Sequence, residues 1–204
     1  MRLLLLAALS LALAGCGSNS DNTSAPQPVT VTETVVETTT APAEPEVTCS
    51  TAGLRLTLPE QDLPPAVADV RKRVFDAALA CDYQTLEQIA LEQGAGFTFS
   101  YGAAEGDSPA AYWRQLEESK SSEPPPLLAL AKILTLPYTR NETGSYAWPN
   151  AYSESPTEEA WQALVAAGLY TQEQVDSMKA AGMYLGYRTA ITPEGDWQFF
   201  VAGD

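Results

Sequence analysis

The chain has no histidine among its 204 residues. That absence removes the Ser-His-Asp and Cys-His nucleophile arrangements. It also removes the usual general base near neutral pH and zinc sites of His or mixed Cys-His type. Basic residues are scarce: 11 Lys and Arg stand against 26 Asp and Glu, a formal charge of -15. Affinity for nucleic acid rests on neutralising phosphates with Lys and Arg, so a nucleic-acid partner is not expected. An anionic lipid surface should repel the protein for the same reason. The one basic cluster, Arg71-Lys72-Arg73, falls in an expected helix and reads as a solvated face. Long apolar runs are missing as well. The stretch at residues 3–14 is short of the roughly 20 residues that cross a bilayer core. With only three cysteines, Cys16, Cys49 and Cys81, no all-cysteine metal site can be built. Neither a metal, nor a cofactor, nor a catalytic set is expected.

What is present begins with that apolar stretch. It follows a single positive residue, Arg2, and ends in Leu13-Ala14-Gly15-Cys16. A short apolar region closed by small residues is the form of a cleavable signal. With the cysteine in place, it resembles the lipobox signal peptide of bacterial lipoproteins. The resemblance implies that residues 1–15 are removed and that the Cys16 thiol carries a diacylglyceryl group. It further implies that the protein is held on the extracytoplasmic face of the cell membrane through that lipid. One acyl chain binds a membrane marginally; two, at about 0.8 kcal/mol per buried methylene, anchor it stably. The competing reading is an ordinary secreted protein with a chance cysteine.

Residues 16–48 read as a tether. From residue 17 onward the segment has no aromatic residue and no Lys or Arg, and Thr, Pro and Glu recur in it. Such a composition cannot bury enough apolar surface to offset its ordering entropy. As a flexible coil it spans roughly 30 Å, and up to about 100 Å if drawn out as polyproline II. The Val-Thr alternation over residues 29–36 is a weaker strand signal.

Residues 49–204 suffice for one domain with a core of its own. If Cys16 carries lipid, Cys49 and Cys81 are left as a pair, and an exported protein sits where a disulfide persists. The unpaired alternative is two buried thiols. Alternation of Leu54, Leu56 and Leu58 suggests a strand over residues 51–58. Helical spacing of Val67, Val70, Val74, Ala77 and Ala78 follows, opened by Pro65. Asp82, Ser108 and residues 155–158 mark further helix starts, and Thr171-Gln172-Glu173-Gln174 has the form of a capping box. Residues 96–101 read as an aromatic strand. Residues 146–152, interrupted by Pro149, read as an edge strand or a loop. Residues 183–191 and 197–202 flank Thr192-Pro193-Glu194-Gly195-Asp196 as a β-hairpin. The expected class is α+β: several helices packed on a small antiparallel sheet that ends in a C-terminal hairpin.

The first helix leading into Ala80-Cys81-Asp82-Tyr83-Gln84-Thr85-Leu86, the aromatic strand and the closing antiparallel strands are weakly similar to the NTF2-like (SnoaL-like) superfamily. The helices between residues 102 and 182 depart from that pattern. The ending, Tyr184 to Arg188 and Phe199 to Asp204, looks like that of uncharacterised actinobacterial lipoproteins, which implies compartment only. Candidate ligand contacts are Tyr101, Trp113, Tyr187 and Arg188, since clefts lined by aromatics with a few polar groups bind small molecules. Against this stands the plainer reading that large aromatics fill a core and that Arg114, Arg140 and Arg188 pair with structural acids. The adjacent acids Glu117-Glu118 and Glu158-Glu159 read as solvated. The expected role is a membrane-anchored envelope lipoprotein with a soluble interaction or ligand-binding domain. Its partner would be an unidentified envelope protein or small molecule. The alternative is an enzyme whose NTF2-like pocket holds an Asp or Glu base near Tyr101, Trp113 and Arg188.

Overall fold

Helix α1, Pro65–Leu79, starts where Pro65 supplies a fixed φ and lacks an N–H that the first turn would leave unused. The apolar stripe anticipated from spacing is the buried face: Val67, Val70, Val74, Ala77 and Ala78. The helix closes in a Schellman arrangement, in which Asp82 N donates to Ala77 O at 2.9 Å and Cys81 N to Ala78 O at 3.3 Å. Cys81 takes the left-handed position at φ 58°, a place usually filled by glycine. Asp82 then caps helix α2, Tyr83–Leu91, accepting from Thr85 N at 2.9 Å and from the Thr85 hydroxyl at 2.6 Å. In this computed structural model residues 49–92, 96–104 and 106–203 are described. The expected signal peptide, the lipid site at Cys16 and the tether, with its 29–36 stretch, lie outside the described residues.

Four more helices follow, three of them at the cap signals. Ser108 caps α3, Pro109–Ser119, through Ala111 N at 3.1 Å, with Pro109 at its start. Helix α4 is Pro126–Ile133. Thr157 caps α5, Glu158–Ala166, and Thr171 with Gln174 forms the capping box of α6, Gln172–Ala181.

The sheet is antiparallel, in the order β1 (Thr139–Arg140), β2 (Tyr146–Trp148), β3 (Arg188–Ile191), β4 (Trp197–Val201). The class is α+β, and β3 and β4 form the anticipated C-terminal hairpin. Directly paired residues share a face. Tyr146, Ile191 and Trp197 line one side together with Trp148, Thr189 and Phe200. That side meets the helices: Trp148 lies under Arg71 of α1, and Trp197 and Phe200 pack on Trp113 of α3. Trp197 is 2% exposed because its indole N–H donates to Thr189 Oγ1 at 2.6 Å, which donates in turn to Phe199 O at 2.7 Å. The opposite side carries Ala147, Ala190, Arg188 and Phe199, with Tyr152 of a short 3-10 turn, Asn150–Tyr152, against it.

The structure corrects several expectations. Residues 51–58 form no strand. They make turns at Ala52 N to Cys49 O and Leu54 N to Thr51 O, then run on as irregular chain. Among the described residues no strand pairs with them; instead side chains secure the continuation of this segment, Arg71 donating to Pro59 O and Gln61 to Leu136 O. The aromatic strand at 96–101 reduces to one parallel bridge, Thr98 with Phe199. Residues 146–148 are an interior strand, not an edge or a loop, because Pro149 falls just beyond the last paired residue and costs the ladder nothing.

Two charged residues read as solvated are buried. Arg71 is 3% exposed and donates twice to Leu134 O, at 3.1 and 2.6 Å, and once to Pro59 O. Burial pulls its guanidinium down to about 10. Its neighbours Lys72 and Arg73 do stay at the surface, paired with Asp76 and Glu92. Glu117 is 9% exposed. It accepts from Ser50 N at 3.0 Å, the Ser50 hydroxyl at 2.8 Å and Leu127 N, in the first turn of α4, at 3.0 Å. A carboxylate there meets the exposed N–H groups and positive end of a helix.

Candidate functional site

The domain's first residues are clasped from two sides. A disulfide joins Cys49 to Cys81, with Cα atoms 5.9 Å apart. Thr51, fully buried beside it, donates to Ala78 O at 2.8 Å. Glu117 holds the intervening Ser50.

Away from this clasp, a cleft of about 240 Å³ opens between α3, the segment at residues 99–102 and the end of the C-terminal hairpin. Three of the four candidate residues, Tyr101, Trp113 and Tyr187, line it. Trp113 forms the floor, 1% exposed, with its ring among those of Phe97, Trp197 and Phe200. Tyr187 is stacked on Phe200 with ring centroids 5.1 Å apart. Tyr101 stands at the rim, 64% exposed. Trp113 and Tyr187 thus belong to the core, as the plainer reading had it, and also line this concavity. Phe99, Tyr112, Leu116 and Phe200 are also among the lining residues. The aromatic character of residues 96–101 was the one sequence signal for Phe99; the approach of Phe200 across 87 residues to Trp113 has none.

Arg188, the fourth candidate, is outside the cleft's lining. It lies 4% exposed on the other side of the sheet, its guanidinium 5.2 Å from the Tyr152 ring centroid. From there its Nη2 donates to the Tyr101 hydroxyl at 3.1 Å. Arg188 also lines a wide, open basin of about 1150 Å³, with Arg140, Glu142, Tyr152 and Glu154 on its walls. Among the described residues no acid forms an ion pair with Arg114 or Arg140; they sit over the rings of Tyr83 and Tyr146, at 4.7 and 4.1 Å from the centroids. Such stacking holds a cation without a carboxylate.

The hydroxyls around Tyr187 form a network whose proton directions follow from counting donors. Ser122 donates to Pro124 O at 3.0 Å, so Tyr187 is the donor in its 2.6 Å bond with Ser122. Tyr184 donates to Tyr187 O at 2.7 Å, and Tyr187 N donates to the Tyr170 hydroxyl at 2.9 Å. Burial pushes the Tyr187 phenol up to about 12 and raises those of Tyr170 and Tyr184. These tyrosines stay neutral over the physiological range.

Among the described residues there is no group of three or more His, Cys, Asp or Glu placed to hold a metal ion. Nor is any described helix long and apolar enough to cross a membrane. Asp107 and Asp196, in loops, serve turns: Asp107 accepts from Ala104 N at 2.7 Å, and Asp196 N donates to Thr192 Oγ1 at 3.0 Å. Compared with protein families, curated proteins and solved structures, the chain finds no match.

Proposed function

We propose that this chain is a lipid-anchored protein of the bacterial cell envelope whose α+β domain binds a small ligand in the cleft over Trp113. The observation that carries the ligand-binding reading is the convergence of Tyr101, Trp113 and Tyr187 on one concavity, from positions up to 86 residues apart. Lipid attachment at Cys16 rests on the Leu13-Ala14-Gly15-Cys16 sequence. The Cys49–Cys81 disulfide supports an oxidising compartment. It also secures the point where a tether of residues 16–48 would enter the domain.

The alternative, an enzyme on an NTF2-like aromatic pocket, draws on the same cleft but needs a base there. Among the described residues the cleft's lining holds no carboxylate.

Two measurements on the producing cell test the proposal. Labelled palmitate should enter the full chain and be absent from Cys16→Ser. A pull-down from envelope extract with the full chain should enrich a small molecule or an envelope component, and lose it on Tyr101→Ala. Equal labelling of both forms removes the anchor; enrichment unchanged by Tyr101→Ala removes the cleft.

A further inference from the structure

The outer edge of β4 is covered at one point only. Thr98 N donates to Gln198 O and Phe200 N donates to Thr98 O, each at 3.0 Å, and among the described residues this bridge is the one pairing on that side of the strand. The covering segment then turns away, Ala103 N donating to Ser100 O at 3.4 Å. Backbone groups alternate in direction along a strand. Those of Gln198 and Phe200 face outward to Thr98, whereas Gly203 N faces inward, to Leu185 O at 3.0 Å. Ala202 is therefore the next residue whose backbone faces outward. It is exposed, and among the described residues no hydrogen bond is made to its N–H or its C=O.

Ala202 also lines the cleft over Trp113. An open sheet edge accepts an extended chain: the main chain supplies hydrogen bonds, and pockets beside the edge select its side chains. Such pockets are present. The cleft, about 240 Å³, falls below the roughly 300–1,000 Å³ of small-molecule sites. Leu116, Trp113 and Phe200 in its lining suit one apolar side chain. Through Phe99, Ser100, Gly102 and Tyr112 the cleft adjoins a hollow of about 350 Å³. Through Tyr187 and Ala202 it adjoins another of about 310 Å³.

The two adjoining hollows fix the charge of the ligand. Asp107 is the one charged residue in the described lining of the first, and Glu123 in that of the second. Both are exposed. In a chain of formal charge -15, the wider field also draws in cations and repels anions.

Resting on the ligand-binding reading above, we propose that the ligand is a short extended peptide with basic residues around an apolar one. Its main chain bonds to Ala202, its apolar side chain enters the cleft over Trp113, and its basic side chains reach Asp107 and Glu123.

The test uses the full chain in a nonionic detergent, with tryptophan emission as the readout. End-blocked peptides Lys-Thr-X-Thr-Lys, with X leucine, valine or phenylalanine, are titrated in parallel with Glu-Thr-X-Thr-Glu. At least one basic peptide should give a saturable change, and its acidic counterpart none. Replacing X by glycine should weaken binding roughly tenfold or more. Methylating the peptide's amide nitrogens one at a time should weaken it roughly five- to tenfold at one position at least. Asp107→Asn and Glu123→Gln should each weaken it about two- to fivefold. Thermal melts of both variants separate lost binding from lost folding. The peptide assignment is overturned if no basic peptide binds, if the acidic peptides bind as tightly, if methylation is tolerated at every amide, or if both folded variants bind like the wild type. Such a failure leaves ligand binding itself standing if the pull-down still depends on Tyr101. Failure of that dependence removes both.

Discussion

Replacing Glu117 should unfasten the start of the domain. Its carboxylate accepts three hydrogen bonds, two at Oε1 from the Ser50 hydroxyl and Leu127 N, and one at Oε2 from Ser50 N. Bonds to a charged acceptor are worth about 1.5–3 kcal/mol each. Removing the acceptor from a site 9% exposed leaves its donors short of partners. They do not all stay unmet, since the part-buried N–H and hydroxyl of Ser50 can be hydrated once the side chain is gone. Glu117→Ala should therefore cost about 3–5 kcal/mol. Glu117→Gln is the sharper variant. Its amide oxygen can keep both bonds at Oε1, but its NH₂ then faces Ser50 N, donor against donor, for a loss of about 1.5–3 kcal/mol. Urea unfolding followed by tryptophan emission measures both. The midpoints should fall in the order wild type, Gln, Ala, with unchanged slopes. The control is Glu118→Ala, an exposed neighbour, which should stay within about 0.5 kcal/mol of wild type. If Glu117→Ala also lies within that margin, the carboxylate is not the clasp described here.

Three further outcomes follow from the same geometry. Gly186→Ala would place a Cβ 2.5 Å from the hydroxyls of both Tyr170 and Tyr184. These are fixed by bonds to the backbone of residue 187, so the variant should lose about 3 kcal/mol in urea unfolding, part of it recovered by adding Tyr184→Phe. The Cys49–Cys81 bridge closes a separation of 32 residues; Cys49→Ser with Cys81→Ser should lower stability by about 3.5–4 kcal/mol in the chain-entropy account, and non-reduced peptide mapping should find the two cysteines linked in the wild type. Because burial holds Tyr187 at about 12, the folded state keeps a proton that the unfolded chain releases near 10. That contribution is complete below pH 10 and is lost as pH rises from about 10 to 12. Stability by denaturant titration should fall over that window, and Tyr187→Phe should flatten the fall.

Local chemistry was legible in the sequence. Asp82, Ser108, Thr157 and Thr171 cap helices because a cap is made by residues three apart. The α1 stripe and the hairpin of β3 with β4 were readable for the same reason. Distant partners were not. Glu117 looked solvated because the Ser50 that buries it lies 67 positions away. Arg71 looked like surface because the Leu134 carbonyl that holds it lies 63 positions away. β1 has two residues, too few for any alternation. Of the site, Tyr101, Trp113 and Tyr187 were chosen by type alone, and the structure brings them together. Arg188 reaches Tyr101 through its hydroxyl, a relation that spacing cannot carry.

The central claim, a ligand-binding domain held to the membrane by lipid at one sulfur, meets its most direct test in the mass of the mature N-terminal peptide. The account predicts a peptide that begins at Cys16 and carries a diacylglyceryl group. A peptide that retains residues 1–15, or one that begins at Cys16 with a free thiol, would contradict it.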